Sequence, residues 1–296
     1  MTKFGPVVLV FLLWSAFAIL VHEYASNHLL GACSIAHSHT TIEEAKPQET
    51  IAPMVFSVKN AHGASIFNFS KAFVVNNLNG TIDIPTELTG FKDSIYNYLN
   101  ANQGEELLIS SQYLAAEVDS MNGVHYGKER VAFLKNVLVT AGVNADRIVG
   151  MTVLSDYNYT DSGTYDECIS ILFQNVSEQR QVVVEEGISN KTLYSNFAIK
   201  EFKPDRTLKG YTIELKNYLA KYPSKKIFIV GHTDSVGEDN YRFGLDRAFN
   251  VKSYLADQGV SPSIIVASSK GEDEPIATNA NEEGRAKNRR IEITIK

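Results

Sequence analysis

The residues best equipped for chemistry crowd into the distal part of the chain: Gly231-His232-Thr233-Asp234, then Arg247-Ala248, then Gly284-Arg285-Ala286-Lys287-Asn288-Arg289-Arg290. Asp234 brings a carboxylate, Thr233 a hydroxyl, Asn240 an amide, and Arg247 and Arg289 guanidinium groups. An aspartate accepts from an ammonium, and a planar guanidinium donates two parallel hydrogen bonds to a carboxylate. Converged on one pocket, such groups make a receptor for a zwitterion. The alternative open at this level is that Asp234 and Arg247 bridge each other, while Arg285, Arg289 and Arg290 form a solvated basic face.

The elements that must position these side chains are readable around them. Ile227-Phe228-Ile229-Val230 is a short continuous apolar run between Lys225-Lys226 and Gly231, as expected of a strand buried on both faces. The run Ile291-Glu292-Ile293-Thr294-Ile295-Lys296 alternates strictly, which fits a strand with one wet face. Between them Ala248, Val251, Tyr254 and Leu255 fall at helical spacing, and Gly259 ends that helix. A further helix over about 208–221 stops before Pro223. Alternating strands and helices predict an α/β fold, an α+β sandwich with helices on one face of a mixed sheet. Asp234 then lies just past a strand and Arg247 near the start of the next helix. His232, two residues before Asp234, reads as a structural hydrogen-bonding residue.

The ordered string Gly-His-Thr-Asp, then NYxxGLxRAxxVKxYLxxxGV from Asn240, then GExxPxxxNxxxxGRAxNRRIEI from Gly271, resembles the OmpA-like peptidoglycan-binding domain family found in OmpA, Pal and MotB. The resemblance covers about residues 193–296. It implies that Asp234 receives the ammonium, and Arg247 the carboxylate, of the diamino acid in the peptidoglycan stem peptide. Thr233, Asn240 and Arg289 match other pocket positions of the family. The loop from Asp234 to Arg247 is shorter than in many members, which bears most on Asn240.

The chain also repeats itself. Asn97-Tyr98-Leu99 and Leu107-Leu108-Ile109 match Asn217-Tyr218-Leu219 and Ile227-Phe228-Ile229. Gly127, Arg130, Lys135, Leu138 and Gly142-Val143 match Gly244, Arg247, Lys252, Leu255 and Gly259-Val260. Residues 63–176 therefore read as a degenerate copy of the distal module, joined to it by a linker at 177–192. Leu114 stands at the position of Asp234 and Tyr113 at that of Thr233, so Arg130 is expected to be alone of the charged pair. That copy reads as a spacer or partner surface.

Residues 1–23 read as a membrane anchor or signal segment. Gly5 to Val21, about 17 residues without an ionisable side chain, would rise about 26 Å as a helix, against a hydrocarbon core of about 30 Å. Lys3 precedes this run, and no Lys or Arg follows before Lys46, so the body is expected on the far side of the membrane. A retained anchor in the inner membrane, with the body in the periplasm, is the favoured reading. A cleaved signal, or lipidation at Cys33 with an outer-membrane location, is the alternative. Residues 24–62 are polar and read as a linker, in which His37-Ser38-His39 lacks further metal ligands at suitable spacing.

Composition narrows the function. A net charge of −6 and a pI near 5.7 exclude the basic face of a nucleic-acid binder. Two cysteines, Cys33 and Cys168, make no disulfide framework, and Cys168 in an alternating run reads as a buried thiol. His232 with Asp234 lacks a matching nucleophile, and neither a metal nor a cofactor is implied. The expectation is a non-catalytic envelope protein that binds peptidoglycan and tethers it to a membrane. The alternative is a structural component of an envelope or secretion complex whose modules bind protein partners, with homodimerisation left open.

Overall fold

Phe56 and Val58 point inward while Ser57 and Lys59 do not, and this alternation makes the strand β1 (Phe56–Asn60). The computed structural model describes residues 56–78, 80–194 and 202–296. The expected anchor at 1–23, Cys33 and His37-Ser38-His39 lie outside the described residues. Among the described residues no helix is long and apolar enough to cross a membrane. β1 falls inside the stretch read as a linker at 24–62, a correction owed to two aromatic and aliphatic side chains at period two.

Along the first half follow β2 (Ser65–Phe69), β3 (Val74–Asn76), β4 (Ile82–Asp83), α1 (Phe91–Ala101) and β5 (Glu105–Tyr113). Then come β6 (Val118–Asp119), β7 (Val124–His125), α2 (Tyr126–Thr140), β8 (Ile148–Leu154), β9 (Thr164–Tyr165) and β10 (Ile169–Asn175). The main sheet runs β2-β1-β10-β5-β8. Leu107 and Ile109 of β5 pack with Leu134 and Leu138 of α2, Phe91 and Ile95 of α1, and Phe173 of β10.

The second half contains α3 (Glu178–Ser189), β11 (Asn190–Leu193), α4 (Arg206–Lys221), β12 (Ile227–His232) and α5 (Asn240–Asp257). It closes with β13 (Ile265–Gly271), α6 (Glu282–Asn288) and β14 (Ile291–Ile295). Its sheet runs β11-β14-β12-β13, with β12 parallel to β13 and antiparallel to β14. Ile227 and Ile229 share one core with Leu208, Tyr211 and Leu215 of α4 and with Ala248, Val251 and Leu255 of α5. Both helices therefore cover the same sheet face, and each such aliphatic side chain contributes about 1.5–3 kcal/mol by burial. The mixed α/β architecture expected from the sequence is present. The stretch read as a linker at 177–192 is instead α3 and most of β11. Ser177 caps that helix by accepting from the Arg180 amide, and Val184 and Ile188, one turn apart, enter the second core.

The two halves share a plan. β5 and β8 are parallel and β10 is antiparallel to β5, as β12, β13 and β14 are arranged. Lys135 Nζ donates to the Ile148 carbonyl at 3.1 Å, and Lys252 Nζ to the Ile265 carbonyl at 2.8 Å. Gly142 and Gly259 leave their helices at φ +98° and +91°, each followed by the same amide bond back to the helix. The outer strands differ, since β1 is parallel to β10 whereas β11 is antiparallel to β14.

Candidate functional site

Two glycines bring the site together. A Cβ on Gly231 would fall 1.8 Å from the Gly244 carbonyl oxygen, and one on Gly244 would fall 2.3 Å from Ser269 Oγ. With no side chain at either position, α5 lies against the end of β12. Arg247, two turns into α5, thereby reaches the strand end and donates from Nη1 to the His232 carbonyl at 3.0 Å. The backbone just beyond is pinned from both sides. His232 N donates to the Arg290 carbonyl at 2.9 Å, and Thr233 N to the Gly271 carbonyl at 2.8 Å.

Thr233, Asp234, Asn240 and Arg247 are all buried, at 4%, 7%, 8% and 7% exposure. Asp234 accepts from the Val236 amide through Oδ1 at 3.0 Å and from Arg289 Nη1 through Oδ2 at 2.5 Å. The other arm of Arg289, Nη2, reaches Glu282 Oε1 at 2.5 Å. Asp234 and Arg247 do not plug into each other, because among the described residues no ion pair joins them. Their charges still act across the site: burial depresses the Arg247 guanidinium pKa, and Asp234 pulls it back upward. Among the described residues four buried side-chain atoms have no hydrogen-bond partner: Arg247 Nε, Thr233 Oγ1 and both ring nitrogens of His232.

The remaining expected residues divide. Asn240, the first residue of α5, turns its amide to Glu272 Oε2 at 3.0 Å and the Gly237 carbonyl at 3.3 Å. The basic string is no solvated face. Arg290 is 2% exposed and bonded to Glu292 and the Glu274 carbonyl, whereas Arg285 and Arg289 stand at the rim. His232 corrects its expectation as a hydrogen-bonding residue, since it is fully buried and both ring nitrogens lack a hydrogen bond. Glu292 Oε2 lies 3.6 Å from Nε2, which is an electrostatic contact only. Burial, helped by the nearby Arg290 charge, lowers the His232 pKa, so the ring is neutral near pH 7.

In the first half Arg130 makes the bond that matches Arg247, from Nη1 to the Gln112 carbonyl at 3.1 Å. The expectation that it stands alone is wrong. Glu117, on a short 3-10 turn over Ala115–Glu117, takes both arms of its guanidinium, Nη1 to Oε2 at 3.0 Å and Nη2 to Oε1 at 2.8 Å. Tyr157 donates to the same carboxylate, as does Tyr159, and Gly80 and Cys168 close the remaining sides. Burial alone would depress the Arg130 pKa, but the Glu117 bonds raise it beyond the ordinary arginine value. Cys168 is the buried thiol foreseen from its alternating run. Glu117 and Glu282 are the residues that sequence reasoning missed. Glu117 is not at the position aligned with Asp234, and Glu282 occupies a variable place inside the matched string.

Comparison with known proteins finds similar sequences over the distal third. Residues 197–289 match the model described as the OmpA family. Over 109 residues the chain is 38% identical to the probable lipoprotein YiaD of Escherichia coli, covering 36% of this chain and 48% of that protein. Over 106 residues it is 34% identical to the peptidoglycan-associated lipoprotein of Pseudomonas aeruginosa, covering 34% of this chain and 60% of that protein. A crystal structure of the peptidoglycan-associated lipoprotein from Burkholderia pseudomallei aligns at 28% identity and a TM-score of 0.33, over 36% of this chain and 90% of that one. The chain spans from 27% to 48% of the length of the first curated relatives it matches.

Proposed function

We propose that the domain at residues 197–289, a member of the OmpA family, binds the diamino acid of the peptidoglycan stem peptide in the cell envelope. The observation that carries this reading is the pair of buried, unpartnered polar atoms, Arg247 Nε and Thr233 Oγ1, beside the Asp234 carboxylate. A buried polar group without a partner costs about 1–3 kcal/mol. Such a cost is borne where a guest supplies the missing bond. In this role Arg247 receives a carboxylate, Thr233 adds a hydroxyl contact and Asp234 receives an ammonium, with Asn240 and Arg289 at the rim. The names of similar proteins, peptidoglycan-associated lipoproteins among them, support the same ligand class.

The activity is binding without catalysis. Together with the apolar run at 5–21, it makes the protein a tether between wall and membrane, with its body in the periplasm. The half formed by residues 56–176 is a degenerate copy of the same module. Its arginine is satisfied internally by Glu117, which suits a spacer or a surface for protein partners better than a second wall site.

Sedimentation of the full chain with purified peptidoglycan sacculi tests the site. One charge-assisted bond is worth about 1.5–3 kcal/mol, so Asp234→Ala and Arg247→Ala should each weaken retention by about 10- to 150-fold. If both variants sediment like the wild type, this pocket is not where the wall binds.

A further inference from the structure

The two halves of the site stand in different states without a ligand. The half that would receive an anion is open, because Arg247 Nε is buried and unpartnered. The half that would receive a cation is already engaged. Asp234 Oδ1 is committed to the Val236 amide, and Oδ2 holds Arg289. Arg289 in turn divides its guanidinium between Asp234 and Glu282, at 2.5 Å each. Glu282 itself is fixed at the rim by Arg285, whose Nε and Nη2 reach its Oε2 at 3.1 Å and 3.0 Å. These residues form a chain, Arg285 to Glu282 to Arg289 to Asp234, that runs from the surface to the buried carboxylate.

We infer that Arg289 is an internal stand-in for the ligand's ammonium, and that Glu282 is a positioning residue which keeps Arg289 when the ammonium displaces it from Asp234. The inference deepens the function proposed above and rests on it. Two cations on one largely buried carboxylate repel each other, so an arriving ammonium favours moving the Nη1 arm aside. The Nη2 arm already sits on Glu282, so the displaced guanidinium keeps a carboxylate partner. The exchange is therefore a swing about an existing bond, and no charge is left bare. A guest without an amine fills the Arg247 side alone and leaves the latch shut. The latch thus keeps Asp234 neutralised while the site is empty, and it lowers the affinity for a ligand that carries both charges.

Titration calorimetry of the full chain separates this from a simple ligand contact. The probes are free meso-diaminopimelate and pimelate, which has the same carbon chain and two carboxylates but no amino groups. Removing the competing cation by Arg289→Ala should tighten diaminopimelate by about three- to tenfold, the range of a partly exposed charge-assisted pair, and leave pimelate no tighter. Glu282→Gln should weaken diaminopimelate by about two- to fivefold and leave pimelate unchanged. A loss of diaminopimelate affinity in Arg289→Ala would make Arg289 an ordinary ligand contact and overturn the latch. So would an unchanged ratio between the two probes in both variants. Diaminopimelate binding that survives Asp234→Ala, or is absent from the wild type, overturns the site assignment itself and the latch with it.

Discussion

Arg130 and Arg247 hold matching places in two similarly built halves, and each donates to a carbonyl near the end of an inner strand, that of Gln112 or of His232. One is answered by the chain itself, through Glu117 and two tyrosines, and the other keeps a buried nitrogen without a partner. Similar scaffolds therefore hold a sealed ion pair in one half and, under the proposed function, an open receptor in the other. The difference lies in a single acidic side chain reaching across from a turn. An arginine at matching places of two similar sheets thus meets different surroundings, with an internal carboxylate partner in one half and none in the other.

The largest effect that would break this comparison is on stability. Removing Glu117 strands a buried guanidinium, so Glu117→Ala should cost about 3–5 kcal/mol in urea denaturation, the usual result of breaking a buried pair. Arg247→Ala should cost far less, because it removes a group already short of partners. Equal losses would mean that both arginines are structural. Next comes sacculus binding by the full chain. Arg247→Lys should lose about tenfold or more, since lysine cannot offer the planar fork, while Arg130→Lys should leave retention unchanged.

The helix-to-strand approach sharpens the comparison further. Gly244→Ala pushes a methyl group to 2.3 Å from Ser269 Oγ and 2.8 Å from the Gly231 carbonyl oxygen. It should lower stability by about 1–3 kcal/mol, in the range of overpacking, and weaken wall binding by shifting Arg247. The matching Gly127→Ala meets Tyr113 and His125 side chains no nearer than 3.1 Å and should cost less in the same melt.

The smallest effect concerns pH. Gln112 holds the place in the first half that His232 holds in the second, but its amide finds the Glu167 carbonyl at 3.3 Å, whereas the His232 ring is unbonded. Burial holds the folded His232 pKa below its ordinary value near 6.5. The unfolded chain therefore takes up a proton first as pH falls, and the corresponding stability, present above about pH 6.5, is lost on acidification through the folded pKa. His232→Gln should make the decline below about pH 6.5 shallower in chemical denaturation. An unaltered slope would remove His232 from the acid response.

Much of the distal half was legible because its signals are strong and local. The run Ile227–Val230 and the alternation from Ile291 fall on strands, and the stretch near 208–221 is α4. The convergence of Thr233, Asp234 and Arg247 followed from a strand end and a helix that must pack against it. The structure brings those three together, while Asn240 faces Glu272. Other features depended on contacts that no period announces. α3 carries three consecutive valines of which only Val184 is buried, with Val182 and Val183 exposed, so no stripe marks it as a helix. Glu117 meets Arg130 only because a short turn re-aims it. The ring of His232 is fully enclosed although polar Thr233 and Asp234 follow it, which sheet pairing decides and composition does not.

β12 is an inner strand, laddered to β13 on one side and β14 on the other, and its last residues carry the receptor. A load hung on a captured guest and directed along the strand axis strains both ladders in shear. Many bonds then resist together, where a peeled edge would surrender them singly. Under the proposed function, the mooring point thus sits at the end of a strand held on both sides.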